Sequence, residues 1–156
     1  MPIRPFRADD FNAIGKIYLD AKYAELAHEP HVFTIIPLAE DENLLPAFRE
    51  SAVIVYEHSA EVVGFAATYE NTLRALFVHG SARNLGVGSS LLHAVLTSHQ
   101  ASLQLSVARS NLGAVRFYER HGFIHTAEEV RSYQGKDVVY LSMLNDKDII
   151  PTPIKK

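Results

Sequence analysis

Apolar residues recur along the chain at two spacings, and the order in which these alternate predicts a mixed α/β domain. Ile3 to Arg7 reads as a short opening strand, placed at a sheet edge because Pro2 and Pro5 cannot donate to a ladder. Asp9 or Asp10 then caps a helix whose Phe11, Ile14, Ile17, Tyr18 and Ala21 fall on one side, ending before Pro30. His28 to Pro37 shows no period. Leu38 to Glu50 predicts a second, shorter helix that must accommodate Pro46.

From residue 51 the pattern becomes strand-like. Ala52 to Tyr56 and Val62 to Tyr69, joined by the polar His58-Ser59-Ala60-Glu61, read as a hairpin, and Leu73 to His79 adds a third strand. The period then changes: Val87, Leu91, Leu92, Val95 and Leu96 mark an amphipathic helix beginning near Gly86. Leu103 to Val107 alternates as a half-buried strand, so strand, helix and strand form a crossover of the kind that joins parallel neighbours. A helix from about Leu112 to His121 ends at Gly122, a left-handed cap, and Phe123 to Val130 with Val138 to Met143 form a closing hairpin around Gln134-Gly135. The fold class expected is one α/β domain, a mixed, twisted sheet of about six to seven strands flanked by helices. It spans residues 1–145, and 146–156, with Pro151 and Pro153, form a loose tail.

Composition narrows the function classes. Of 156 residues, 47% are hydrophobic and 21% charged, which places the chain among globular proteins. Fifteen Lys and Arg against eighteen Asp and Glu leave a formal charge of −3, with no basic field to hold nucleic acid as a principal partner. The absence of cysteine removes disulfides, thiolate zinc sites and cysteine nucleophiles, and fits a reducing cytoplasm. Arg4 and Arg7 are followed by no apolar run of the signal-peptide kind. Residues 84 to 108 lack charge, yet Ser89, Ser90, His93, Thr97 and Ser98 interrupt them too often for a membrane span. Histidines 58, 93, 99, 121 and 125 show no ligand spacing, so no metal is expected.

The chemistry concentrates in two segments. Arg83-Asn84-Leu85-Gly86-Val87-Gly88 lies after a predicted strand and at the mouth of a predicted helix, where free amides and two glycines suit a pyrophosphate and Arg83 adds a charge. It is not a dinucleotide fingerprint, since Leu91 stands where the third glycine belongs, and no Gly-Lys-Ser/Thr ending makes it a P-loop. The second segment is Asn111-Leu112-Gly113-Ala114-Val115-Arg116-Phe117-Tyr118, continuing to Gly122-Phe123.

Together, R-x-x-G-x-G, a helix, a strand and N-x-x-A-x-x-F-Y-x-x-x-G-F resemble the GNAT superfamily of acetyl-CoA-dependent N-acetyltransferases, over about Val62 to Phe123. The resemblance implies that the strand containing Phe77 and Val78 splays from its neighbour and that the pantetheine arm of acetyl-CoA enters the gap, pairing with the backbone of both residues. The Val78 N–H would polarise the thioester carbonyl. The amides of Leu85, Gly86, Val87, Gly88 and Ser89 would hold the pyrophosphate, framed by Arg83 and Asn84. Asn111 would tie the cofactor to the neighbouring loop, and Tyr118 would protonate the departing thiolate as general acid. His79-Gly80 and Asn84 depart from the family's usual pattern.

The implied partners are acetyl-CoA and a primary amine. Such an amine, with pKa near 10.4, costs about 4–5 kcal/mol to deprotonate at neutral pH, so a base is worth seeking. Glu70 is the first candidate and His79 the second, both flanking the strand that leads to the cofactor; Tyr23, Glu25, His28 and His31 come from the region expected to form the acceptor wall. Glu25, Glu29, Glu40, Asp41 and Glu42 make that region acidic, suiting a cationic acceptor. A non-catalytic acyl-CoA-binding or regulatory module is the alternative from another class, and free strand edges leave room for a homodimer.

Overall fold

The computed structural model describes residues 2–146; all but the first residue of the expected C-terminal tail lies outside them. Seven strands form one sheet: β1 (Ile3–Pro5), β2 (Ala52–His58), β3 (Glu61–Tyr69), β4 (Thr72–Val78), β5 (Leu103–Ala108), β6 (Ile124–Tyr133) and β7 (Lys136–Asn145), in the order β1-β2-β3-β4-β5-β7-β6. All pairs are antiparallel except β4 with β5, the crossover anticipated from the period change. Helices α1 (Phe11–Glu25) and α2 (Leu44–Glu50) accompany α3 (Val87–Ser98) and α4 (Leu112–Arg120). One core, with Ile14, Ile17, Phe65 and Val138, lies under α1; the other, with Leu91, Leu92, Leu103 and Met143, lies under α3.

Three local features differ from expectation. Residues 38 to 50 are not one helix: a 3-10 turn at Leu38–Glu40 is followed by α2, because Asp41 Oδ1 accepts the N–H groups of Asn43 and Leu44, each at 2.9 Å, and restarts the chain there. Pro46 thereby falls in the first turn of α2, where its missing N–H would have had no partner. Asp10 does not cap α1 forward; its carboxylate reaches back to the Arg7 N–H at 2.7 Å and takes a bidentate pair from Arg4. The last hairpin runs longer than predicted, since Gln134 (φ 52°) and Gly135 (φ 76°) alone make the turn and Tyr133 already pairs with Lys136.

The gap in the sheet has a local cause. Ala67 pairs with Ala75 but Thr68 pairs with Leu73, so Arg74 is an extra, bulged residue in β4. A bulge bends its strand and increases the twist. Pairing of β4 with β5 accordingly stops at Leu73 opposite Leu105, and the rest of β4 leaves β5.

Candidate active site

Between the separated strands lies a cleft of about 340 Å³. Its floor is β4 from Leu73 to Val78 and β5 from Leu105 to Val107; Gly88, Phe117 and Tyr118 close one side and Ala21, Ala24 and Glu25 of α1 the other. Backbone groups line it unevenly. The His79 N–H bonds to the Val63 carbonyl on β3 at 2.8 Å, and because direction alternates along a strand, the main chain of Phe77 also faces β3. The N–H and C=O of Val78 therefore point into the gap, as do those of Leu76. This revises the expectation for Phe77: it lines the cleft but its own peptide groups are turned to β3, while its ring packs edge-on against Tyr18 and Phe65.

The turn before α3 presents the amides that the glycine spacing suggested. Asn84 (φ 70°) and Gly86 (φ 77°) both adopt left-handed backbone, and no side chain caps the helix. The first helical bond runs from the Ser90 N–H to the Gly86 carbonyl at 3.0 Å, which leaves the N–H groups of Val87, Gly88 and Ser89 without helical acceptors. Leu85 is exposed beside them. A Cβ on Gly88 would meet the Phe117 ring at 3.6 Å and Val78 Cγ2 at 3.8 Å, so this glycine borders the cleft itself. Arg83 is turned away from the amides: its Nε donates to the Val78 carbonyl at 3.1 Å and its Nη2 to Asp20 Oδ2 at 3.0 Å, and Asp20 also takes the Gly80 N–H at 2.7 Å.

A residue outside both motifs seats this turn. A Cβ on Gly64 of β3 would lie 2.9 Å from Val87 Cγ1 and 3.2 Å from Leu91 Cδ1, so only glycine lets the first turn of α3 approach the sheet this closely.

Tyr118 lies on the cleft wall, its ring edge-on to Phe117 and Phe123. Burial above all, and then the negative charge of Glu25, push its phenol pKa well above the ordinary value, so the hydroxyl stays protonated. Asn111 also lines the cleft, but its side-chain oxygen accepts the Ala114 N–H at 3.4 Å and caps α4.

The proposed bases separate. Glu70 is not brought to the cleft: it sits exposed in the β3–β4 turn (φ 53°) and borders a different hollow, with Val95, Ser98 and His99. Flanking β4 in sequence put it at the strand's far end, since the gap opens only beyond Leu73. His79 caps the 3-10 turn at Gly80–Ala82, accepting the Ser81 N–H, and borders a hollow beside Arg4 and Lys16. Of the five acids expected to form the acceptor wall, Glu25 alone lines the cleft; Asp41 starts α2, Glu29 accepts from Ser110, and Glu40 and Glu42 are exposed. Two partners of the cleft escaped the sequence reading. Lys22 stands three residues before Glu25, a spacing that pairs side chains on a helix, whereas nothing local announces that Tyr140 of β7 reaches the same carboxylate.

Among the described residues no group of three or more His, Asp or Glu side chains is placed to hold a metal ion, and no helix is long and apolar enough to cross a membrane.

Comparison with known proteins agrees with this architecture. No curated protein matches the sequence. Among solved structures, a GCN5-related N-acetyltransferase from Rhodopseudomonas palustris is 17% identical with a TM-score of 0.76, over 92% of this chain and 94% of that one. The ribosomal-protein-alanine N-acetyltransferase of Brucella melitensis is 19% identical with a TM-score of 0.69, over 94% and 99%. The yncA protein of Salmonella typhimurium, solved with its cofactor acetyl-CoA, is 21% identical with a TM-score of 0.69, over 97% and 96%. The model of the acetyltransferase (GNAT) domain matches residues 30–143. The splayed strands, the open amides ahead of α3 and this match have one account: the chain belongs to the GNAT family of acetyl-CoA-dependent acyltransferases.

Proposed function

We propose that this acetyltransferase moves the acetyl group of acetyl-CoA directly to a primary amine, with Val78 and Tyr118 acting on the thioester. The observation that carries the reading is the Val78 N–H, which the strand register turns away from β3 and into the same cleft that Tyr118 borders. Pantetheine laid along β4 as an added strand pairs with Leu76 and Val78, from which β5 has parted, and takes the Val78 carbonyl from Arg83. The Val78 N–H then donates to the thioester carbonyl and stabilises the negative charge that grows on its oxygen as the amine attacks. The pyrophosphate sits on the amides of Leu85 to Ser89, with Asn84 and Arg83 at the edge of that turn. Asn111 holds the start of α4 so that Tyr118 faces the sulfur.

The leaving group needs a proton or a strong hydrogen bond. Tyr118, kept protonated by burial, supplies it over the whole neutral range, and its weak acidity keeps it from losing that proton before the carbon–sulfur bond breaks. Calorimetry with acetyl-CoA, followed by measurement of free-thiol release on adding primary amines, tests the reading. Binding with amine-dependent thiol release is expected. Binding without release from any amine would favour a module that holds acyl-CoA without turnover, and absence of binding would remove the coenzyme site altogether.

A further inference from the structure

On the α1 side of the cleft stands a carboxylate with one committed and one uncommitted oxygen. Glu25 Oε2 accepts from Lys22 Nζ at 2.6 Å and from the Tyr140 hydroxyl at 3.3 Å. Its Oε1 has no hydrogen-bond partner among the described residues, and Glu25 is the one carboxylate among those lining the cleft. The pair is largely shielded from water, with side-chain exposures of 12% for Lys22 and 15% for Glu25. Burial by itself disfavours a charged carboxylate, and the ion pair with Lys22 offsets that penalty.

We propose that Glu25 is the acceptor-side catalytic residue: Oε1 takes an N–H of the incoming primary amine, aims the nitrogen lone pair at the thioester carbon, and receives the proton the nitrogen sheds as the carbon–nitrogen bond forms. The inference rests on the direct-transfer reading above. It replaces Glu70, which lies outside the cleft.

The groups facing Glu25 explain why a paired carboxylate serves here. Lys22 comes from the same helix, Tyr140 from β7, and the charge of Glu25 is felt by Tyr18 on α1 and Tyr118 on α4. Burial alone would lower the Lys22 pKa, but Glu25 and Tyr140 more than offset it, and the ammonium stays charged. That fixed positive charge offsets the pull of the carboxylate on an ammonium, so the paired Glu25 holds an amine in its charged form less than a lone carboxylate would. The step balances. The carbon–nitrogen bond forms, the carbon–sulfur bond breaks, one proton passes from nitrogen to Glu25 and then to solvent, and Tyr118 gives one to sulfur and regains one from solvent.

The test uses Glu25→Gln, which keeps the shape, and the double variant Lys22→Met with Glu25→Gln, which removes both buried charges should the single change leave Lys22 unsupported and unfold the chain. Spermidine, ethylenediamine and a lysine-containing peptide serve as acceptor probes. Both variants should bind acetyl-CoA within about twofold of the parent while kcat/KM for the amine falls by roughly 100-fold at neutral pH. Parent and variants should share a climb of about tenfold per pH unit toward the amine's own pKa, because in each only neutral amine attacks, so the deficit should persist across that range. Unchanged rates in the folded variants would overturn the assignment and leave the acetyl-transfer reading intact. A folded variant that loses acetyl-CoA binding would also overturn it, since Glu25 would then act on the coenzyme. No thiol release by the parent from any probe would remove the direct-transfer reading and this inference with it.

Discussion

The guanidinium of Arg83 occupies the carbonyl of Val78, Nε to oxygen at 3.1 Å, while its Nη2 holds Asp20 of α1 at 3.0 Å. That carbonyl lies on the stretch of β4 from which β5 has parted, so a pantetheine strand and Arg83 compete for one acceptor. Docking of the coenzyme should draw Arg83 outward, toward the pyrophosphate. Asp20→Asn, which weakens the hold on Arg83 yet keeps an acceptor for the Gly80 N–H, should therefore tighten acetyl-CoA binding, and only modestly. The Arg83–Asp20 pair is exposed, a class worth about 0.2–1 kcal/mol, so the gain in calorimetric affinity should be at most roughly fivefold. Weakened binding would mean that Asp20 builds the turn instead of competing for its arginine.

Gly86→Asp should damage the anion turn twice. It places a side chain at a φ of 77°, which only glycine adopts without strain, and it adds a negative charge beside the three free amides. Acetyl-CoA affinity should fall tenfold or more, about 1.4 kcal/mol or greater, as read by calorimetry. A measured affinity equal to the parent's would contradict the placement of the pyrophosphate.

Tyr118→Phe keeps the ring that packs between Phe117 and Phe123 and removes only the hydroxyl. Coenzyme affinity should survive, and turnover in the thiol-release assay should drop by roughly 10²-fold, the usual scale for a lost proton donor. Identical turnover in the two proteins would take Tyr118 out of the chemistry.

Gly64→Ala should cost stability although it lies in neither sequence motif. Its Cβ would stand 2.9 Å from Val87 Cγ1 and 3.2 Å from the Phe77 carbonyl, and the first turn of α3 would have to lift. A loss of about 1–3 kcal/mol in denaturant unfolding is expected, accompanied by weaker acetyl-CoA binding because the free amides ride on that turn. Full stability with unchanged affinity would show that α3 is not seated through Gly64.

The sequence by itself determined the order of strands and helices and the amide-presenting turn at Asn84 to Gly88, and it singled out Tyr118. Each of these depends on residues a few positions apart: apolar spacing, a glycine where φ is positive, a motif on a single helix. Tertiary structure alone decided the rest. The bulge at Arg74 shows only in the register of β3 against β4, and it determines where the gap opens and hence that Val78, not Phe77, offers its main chain to it. Glu70 was close to the right strand in sequence and at the wrong end of it in space, while Glu25, one of five acids between residues 25 and 42, became distinctive through Lys22 and the distant Tyr140. Local pattern reports which face of an element is buried; which polar groups meet across a cleft depends on how separate elements are stacked, and no periodicity records that.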